Sequence, residues 1–178
     1  TWEKRKERFN HASNGPFREG KRSIYEGGHR VPFIVRWPAG IVRPGRTYSS
    51  PICQTDLLAT LADMVGTQLP QDAGEDSQSF LPALTKATTV NRVPMIHHSF
   101  RGEFAIRDKQ WKLVMGSTKK RNQELYDLSN DPSETANLIE KKTELAQTLQ
   151  QKLTHIIRAG RSTKGNAVPN DTPYWDDL

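Results

Sequence analysis

Three positively charged side chains, Arg18, Lys21 and Arg22, stand in a glycine-bracketed stretch running from Gly15 to Gly28, directly ahead of an apolar run at Val31, Phe33, Ile34 and Val35. Loops at strand ends are where α/β proteins present polar groups to ligands. A lysine there suits an oxyanion, because an ammonium is a compact charge with three donors. The alternative is that these bases only pair with the neighbouring Glu19 and Glu26. A second concentration, Met95-Ile-His-His-Ser-Phe-Arg-Gly102, gathers His97, His98 and Arg101 at the end of an expected strand. Adjacent histidines on a strand point to opposite faces, so they do not chelate one metal together, and a zinc site is discarded. The single cysteine, Cys53, excludes an internal disulfide framework.

The elements that must position these residues follow from periodicity. Arg30–Trp37 reads as a strand covered on both faces, with Pro32 at its start, where the missing N–H costs least. Thr55–Gly66 reads as a helix: Thr55 as cap, Asp56 at the positive end, Gly66 as the stop, and Leu57, Leu58, Leu61, Ala62 and Val65 as one apolar stripe. The polar stretch 67–92 is a long connection. From Pro94 the period becomes two, and Met95–Ser99, Glu103–Arg107, Gln110–Met115 and Glu124–Asp127 form an expected antiparallel meander with one wet face. Asp131-Pro-Ser-Glu134 reads as a helix start or capped turn, with Glu134 reaching back to Asp131. Leu138, Leu145, Leu149, Leu153, Ile156 and Ile157 then line a helix ending at Gly160, which would cover the dry side of the meander.

Composition narrows the class. The 178 residues carry 26 Lys and Arg against 20 Asp and Glu, a net charge of +6. The excess lies in the first fifty residues. Leu, Ile, Val and Phe make up about a fifth of the chain, just above the level at which disorder becomes the default. An ordered core with long polar connections is expected. No apolar run approaches the roughly 18–20 residues that cross a bilayer. The opening Thr-Trp-Glu-Lys-Arg-Lys-Glu-Arg, with no apolar stretch behind its charges, is not expected to be a signal peptide, and a chain beginning so is expected to be cut from something longer.

Three blocks, in order, resemble the sulfatase family. The first is Gly15-Pro16-Phe17-Arg18-Glu19-Gly20-Lys21 with Tyr25-Glu26-Gly27-Gly28-His29-Arg30-Val31-Pro32. The second is Thr55-Asp56-Leu57-Leu58-Ala59-Thr60-Leu61. The third is Leu125-Tyr126-Asp127-Leu128 with Asp131-Pro132-Ser133-Glu134 and Asn137-Leu138. The resemblance implies an alkaline-phosphatase-like α/β fold, here its C-terminal part. Residues 1–92 would be the end of the large domain with its connection, 93–160 a small four-stranded antiparallel sheet packed by a C-terminal helix, and 161–178 a flexible tail. It implies that Lys21 contacts the sulfate group and that His98 and Arg101 contact the sugar or aryl part of the substrate. Glu26, Gly27 and Gly28 would form a tight structural turn, and His29 a surface position.

The departures from the family pattern matter as much. Sulfatases use a formylglycine made from the Cys or Ser of a Cys/Ser-x-Pro-x-Arg motif. Cys53 is followed by Gln54, Thr55, Asp56 and Leu57, and no serine satisfies the motif. The family's calcium ligands are not recognisable either: Asn14 follows Ser13 where an Asp would be needed. The expectation is therefore a C-terminal segment of an exported sulfate-ester hydrolase, with nucleophile, calcium and most of the sulfate pocket in preceding sequence, and a segment inactive alone. The substrate would be a sulfate ester or sulfated sugar, and the partner the missing part of the same protein. From another class comes a basic binding module for nucleic acid or another polyanion, built on the N-terminal charges and Trp2, Phe9, Phe17 and Tyr25; no nucleic-acid motif accompanies them.

Overall fold

The computed structural model describes residues 2–116 and 122–170. Its elements are α1 (Trp2–Phe9), α2 (Glu26–His29), α3 (Asp56–Met64), α4 (Leu81–Thr85), β1 (Met95–His98), β2 (Phe104–Asp108), β3 (Trp111–Val114), β4 (Glu124–Asp127) and α5 (Thr143–Ala159). They group into two compact units. One holds the chain up to Pro32 with Ile96–Leu153; the other holds Phe33–Met95 with the described residues from Thr154 on.

The first unit is built on a sheet in the order β1-β2-β3-β4. β2 and β3 pair antiparallel with Ile106 opposite Leu113, and β3 and β4 pair antiparallel with Leu113 opposite Leu125. Because side chains alternate across a strand, Ile106, Leu113 and Leu125 share one face. All three are fully buried, as are Leu149 and Leu153 of α5. Lys152 on that helix pairs with Asp108 at 2.5 Å, and Gln123 beside β4 donates to Gln150 at 3.0 Å. The apolar face of α5 therefore covers this side of the sheet.

The opposite face is not wet, contrary to the expectation from alternation. Ala105, Val114 and Tyr126 form a buried cluster there with Ile24, Tyr25 and Leu128. The covering segment is the glycine-rich stretch itself. Lys112, whose place between Trp111 and Leu113 suggested a solvated charge, is 0% exposed.

The turn at Asp131 also differs from a helix start. Asp131 Oδ2 accepts the Thr135 and Ala136 N–H groups, each at 2.8 Å, which is the capped-turn alternative. The Glu134 N–H donates to Asp131 O at 3.2 Å, but its carboxylate does not reach back; it is buried elsewhere, and α5 begins only at Thr143. Gly160, at φ +66°, ends that helix as expected.

In the second unit, α3 ends in a Schellman arrangement: Thr67 N–H donates to Ala62 O at 2.9 Å, Gly66 N–H to Asp63 O at 3.2 Å, and Gly66 takes φ +71°. Thr55 does not cap its start; its hydroxyl donates to Asp76 O at 3.2 Å. The N-terminal anchor is Asp56, whose Oδ2 accepts Cys53 N–H at 2.8 Å and whose Oδ1 accepts Gln78 N–H at 3.0 Å. The polar residues Asp56 and Thr60 are the buried side of this helix, while Leu57, Leu58, Leu61, Met64 and Val65 are exposed. No strand forms over Arg30–Trp37. A strand needs a ladder partner, and among the described residues this run has none; Ile34 is 90% exposed. After α5 the chain is tied back within this unit, with Arg161 donating to Gln71 O at 2.8 Å and Asn166 O at 3.0 Å. Residues 171–178, part of the expected tail, lie outside the described residues.

Candidate functional site

Lys21 sits at the outer end of the loop between α1 and α2. Gly20 before it is buried, Lys21 and Arg22 are exposed, and Ile24, Tyr25 and Glu26 are buried again. The loop thus dips into the sheet, presents Lys21, and returns. Its backbone is constrained: Glu19 and Arg22 take φ +56° and +85°, the left-handed region that costs a non-glycine residue roughly 1–3 kcal/mol. Ser23 N–H donates to Gly20 O at 3.0 Å, closing the turn over Lys21. Gly27 and Gly28 are glycines for lack of room: a Cβ on either would run into the carbonyls of Arg18 and Glu19 or of Ser23. Lys21 itself makes no hydrogen bond or ion pair to any described residue. Its charge is not taken up by Glu19, which accepts the Ser23 hydroxyl at 2.6 Å, nor by Glu26, which points inward.

The structure brings the second expected group to the same edge. Phe100 N–H donates to Arg22 O at 3.1 Å, and the Arg22 guanidinium lies 4.9 Å from the Phe100 ring centre. Lys21 and Arg101 are therefore each one residue away from a shared hydrogen bond. Arg101 is exposed; its N–H donates to Ser99 Oγ at 3.1 Å, within a turn that Ser99 also closes onto Glu103. His98 is exposed at the end of β1 with its ring 4.6 Å from that of Phe104. His97 points the other way. Its ring stacks on His29 at 4.1 Å, and its Nε2 is buried without a hydrogen-bond partner among the described residues. Burial, reinforced by the charges near it, pushes its basicity well below the ordinary histidine value.

Beneath the loop lies a buried ion cluster. Lys112 Nζ is 3.1 Å from Glu26 Oε1 and 2.8 Å from Glu134 Oε1. Arg107 reaches Glu26 Oε2 at 3.3 Å, and Arg30 at 3.7 Å. The Glu26 N–H donates to Glu134 Oε2 at 2.6 Å, and His29 Nε2 lies 3.1 Å from Glu26 Oε1. Burial alone would raise the Glu26 carboxyl, but the His29 hydrogen bond and the charges of Lys112 and Arg107 outweigh it and hold the group well below the carboxylate range. Arg18 makes a second anchor: its Nη1 donates to Tyr126 OH at 2.9 Å and to Glu134 O at 3.0 Å, and its guanidinium lies 3.6 Å from the Tyr25 ring centre. Of these residues only Glu26, as a partner for neighbouring bases, was legible in sequence. Lys112 and Glu134 were missed; the available signal was a lysine wedged between Trp111 and Leu113 in an otherwise apolar strand.

Formylglycine and calcium were expected in preceding sequence rather than in this segment, and the described residues assemble a site for neither. Cys53 offers no formylglycine motif, and its N–H is spent on Asp56. The Asn14 amide donates to Glu19 O at 2.6 Å, and no group of three or more His, Cys, Asp or Glu side chains converges on a metal position among the described residues.

The chain superimposes on solved structures over most of its length. A Bacteroides thetaiotaomicron structure described under the metabolism of multiple glycosaminoglycans superimposes with a TM-score of 0.77 at 34% identity, covering 84% of this chain and 34% of that one. A structure of Ps i-CgsB in complex with k-i-k-neocarrahexaose gives 0.72 at 25% identity, covering 88% and 35%. The fold is thus the C-terminal part of the alkaline-phosphatase-like sulfatase architecture. The chain belongs to the family described as N-sulphoglucosamine sulphohydrolase, C-terminal, which it matches over residues 17–159. Among curated relatives it is 37% identical to the N-acetylgalactosamine-6-O-sulfatase of Bacteroides thetaiotaomicron over 84% of this chain and 32% of that protein, and 30% identical to the ulvan-active sulfatase of Formosa agariphila over 67% and 30%. The chain spans about a third of the length of each.

Proposed function

We propose that this chain is the C-terminal part of an exported sulfatase that hydrolyses sulfate esters on a carbohydrate. The observation that carries the reading is the hydrogen bond from Phe100 N–H to Arg22 O, which joins the backbone next to Lys21, a side chain with no partner among the described residues, to the backbone next to the exposed Arg101. In this reading Lys21 neutralises charge on the sulfate oxygens as the S–O bond breaks, an electrostatic contribution from a preorganised donor. His98 and Arg101 hold the sugar next to it. The relatives named for sulfated carbohydrates support that substrate class. The nucleophile and the calcium ion belong to the other two thirds of the protein, so the segment alone is inactive. The exposed apolar residues Phe33, Ile34 and Val35, and those of α3, are where that remaining part packs, with 30–37 then gaining the strand partners it lacks. The division at residues 1–92 and 93–160 belongs to the same proposal. The test is hydrolysis of a sulfated disaccharide by the full-length protein and by its Lys21→Ala variant; turnover by the separated segment, or none by the full-length protein, overturns the reading.

The polyanion-binding reading has less support. Tyr25 is buried with its hydroxyl donated to Glu124 at 2.7 Å, and Arg30 lies over the Phe17 ring at 4.4 Å, so neither ring is free to stack on a base.

A further inference from the structure

We infer that Glu134 is a positioning residue for Lys21: its carboxylate grips the backbone of the loop and, through Lys112, fixes where the lysine ammonium stands. This rests on the sulfatase reading above. Glu134 is 1% exposed and lies more than a hundred residues from the loop in sequence, yet it holds the loop at two points. Its Oε2 accepts the Glu26 N–H at 2.6 Å, and its backbone oxygen accepts Arg18 Nη1 at 3.0 Å. Those contacts lie on either side of Lys21, and Gly27 N–H, donating to Arg18 O at 3.0 Å, joins the two sides. Lys112, which is itself inaccessible, bridges the Glu134 and Glu26 carboxylates and keeps the two negative groups together. Glu134 adopts φ +53°, an uncommon conformation for a glutamate, which aims its side chain inward while the flanking Asp131 turn stays at the surface.

The consequence is a division of labour. The Lys21 side chain has no partner among the described residues, so its position follows from the backbone that carries it. The Gly20–Ser23 turn and the Phe100–Arg22 hydrogen bond shape that backbone beside Lys21, and the contacts of Glu134 anchor it at its buried base. Misplacing a charge-neutralising group by about 1 Å costs roughly 10²-fold in rate. A loop released at Glu26 and Arg18 would allow that displacement without removing Lys21.

The experiment uses the full-length protein with Glu134→Ala and Glu134→Gln. The alanine variant leaves both the Glu26 N–H and the Lys112 ammonium without Glu134, whereas glutamine keeps one acceptor oxygen for the Glu26 N–H and turns its NH2 toward Lys112. With a sulfated disaccharide, Glu134→Ala is expected to lower kcat by roughly 10²-fold with KM within about threefold, and Glu134→Gln, which keeps the acceptor for the Glu26 N–H, to recover part of the loss. In the same samples, hydrogen exchange at the Glu26 and Gly27 amides should accelerate at least about tenfold in Glu134→Ala while Ile106 and Leu113 stay protected. Should the alanine variant not fold, Glu134→Asp, one methylene too short, takes its place with the same expectation. Unchanged kcat, unchanged exchange at Glu26 and Gly27, or no recovery by glutamine overturns the inference. If the wild-type protein hydrolyses no sulfate ester, the functional reading fails and the inference falls with it, while the exchange comparison still shows separately whether Glu134 grips the loop.

Discussion

Arg92 and Asp56 form a two-pronged ion pair: Nε meets Oδ2 and Nη2 meets Oδ1, each at 2.8 Å, with both side chains almost completely buried. Asp56 also accepts two backbone N–H groups, from Cys53 and Gln78, so one carboxylate joins the start of α3 to the connection that follows it. Paired geometry of this kind is the strong form of a charge-assisted hydrogen bond.

Breaking that pair from one side should cost much more than removing it. Asp56→Ala leaves Arg92 buried without a counter-charge and is expected to lower stability by about 3–5 kcal/mol. Combining it with Arg92→Leu should recover part of the loss. Urea unfolding of the single and double variants measures both, and a double variant no better than the single would show that the backbone hydrogen bonds of Asp56 dominate.

The helix face over the sheet is the second target. Leu149 and Leu153 are fully buried against the Ile106, Leu113 and Leu125 layer. Leu149→Ala should cost about 2–5 kcal/mol. A loss under about 0.5 kcal/mol in thermal or urea unfolding would place α5 at the periphery.

Stability should fall in mild acid. His97 is held below its ordinary 6.5 by burial and by nearby charge. Below pH 6.5 the unfolded chain takes up a proton that the folded one refuses, so stability is complete above that value and declines as pH drops, by at most about 1.4 kcal/mol per unit. Glu26 has the same sign at lower pH: its depressed carboxyl contributes stability above its ordinary 4.5 and loses it on further acidification. Burial raises Glu134, whose contribution runs the other way and acts above its ordinary 4.5, so it opposes the lower part of the His97 limb and leaves the Glu26 limb untouched. Urea midpoints from pH 8 to 5 should therefore slope downward, and His97→Gln should flatten the upper part. An equally steep slope in that variant would assign it to other groups.

Lys21 and Arg22 should separate cleanly in the full-length protein. Lys21→Ala is expected to lower kcat and kcat/KM together by about 10²–10³, the signature of a contact made chiefly in the transition state. Arg22→Ala, whose guanidinium lies over Phe100, should be much milder. Steady-state kinetics decide; both constants within about twofold for Lys21→Ala would make it an ordinary surface base.

Arg101→Ala should instead raise KM for a sulfated oligosaccharide, with kcat nearly unchanged. Losing one hydrogen bond to a charged group corresponds to about 1.5–3 kcal/mol, or roughly 10- to 100-fold. A small aryl sulfate, lacking the sugar, should show little change. Equal effects on both substrates would place Arg101 at the sulfate rather than at the sugar.

What was legible in the sequence was local. Period-two alternation located all four strands, and Gly66 and Gly160 marked helix ends, because strand pleat and left-handed backbone leave traces in neighbouring residues. What was not legible depended on partners remote in the chain. Lys112 alternates as a surface lysine would; only Glu26 and Glu134, 86 and 22 positions away, make it interior. The apolar run at Val31–Val35 has the composition of a covered strand, yet composition does not supply the neighbours that a ladder requires. Lys21, His98 and Arg101 were read from motif and placement, and the Phe100–Arg22 hydrogen bond now gives two of them a common edge.

The burial of Lys112 has a bearing on how the hairpin finds its alignment. A slip of one residue between β2 and β3 would exchange Lys112 with Leu113, setting an ammonium against the leucines of α5 and facing Glu26 and Glu134 with a methyl-bearing side chain. Two carboxylates would then be interior with their shared cation gone, a penalty of about 3–5 kcal/mol for a buried pair broken from one side. The correctly aligned hairpin escapes it because Arg107, Lys112 and Tyr126 lie opposite one another across three strands on the loop-covered face. The charges inside this sheet act as a proofreading device for strand pairing, rejecting the misaligned form that alternation of apolar residues alone would tolerate.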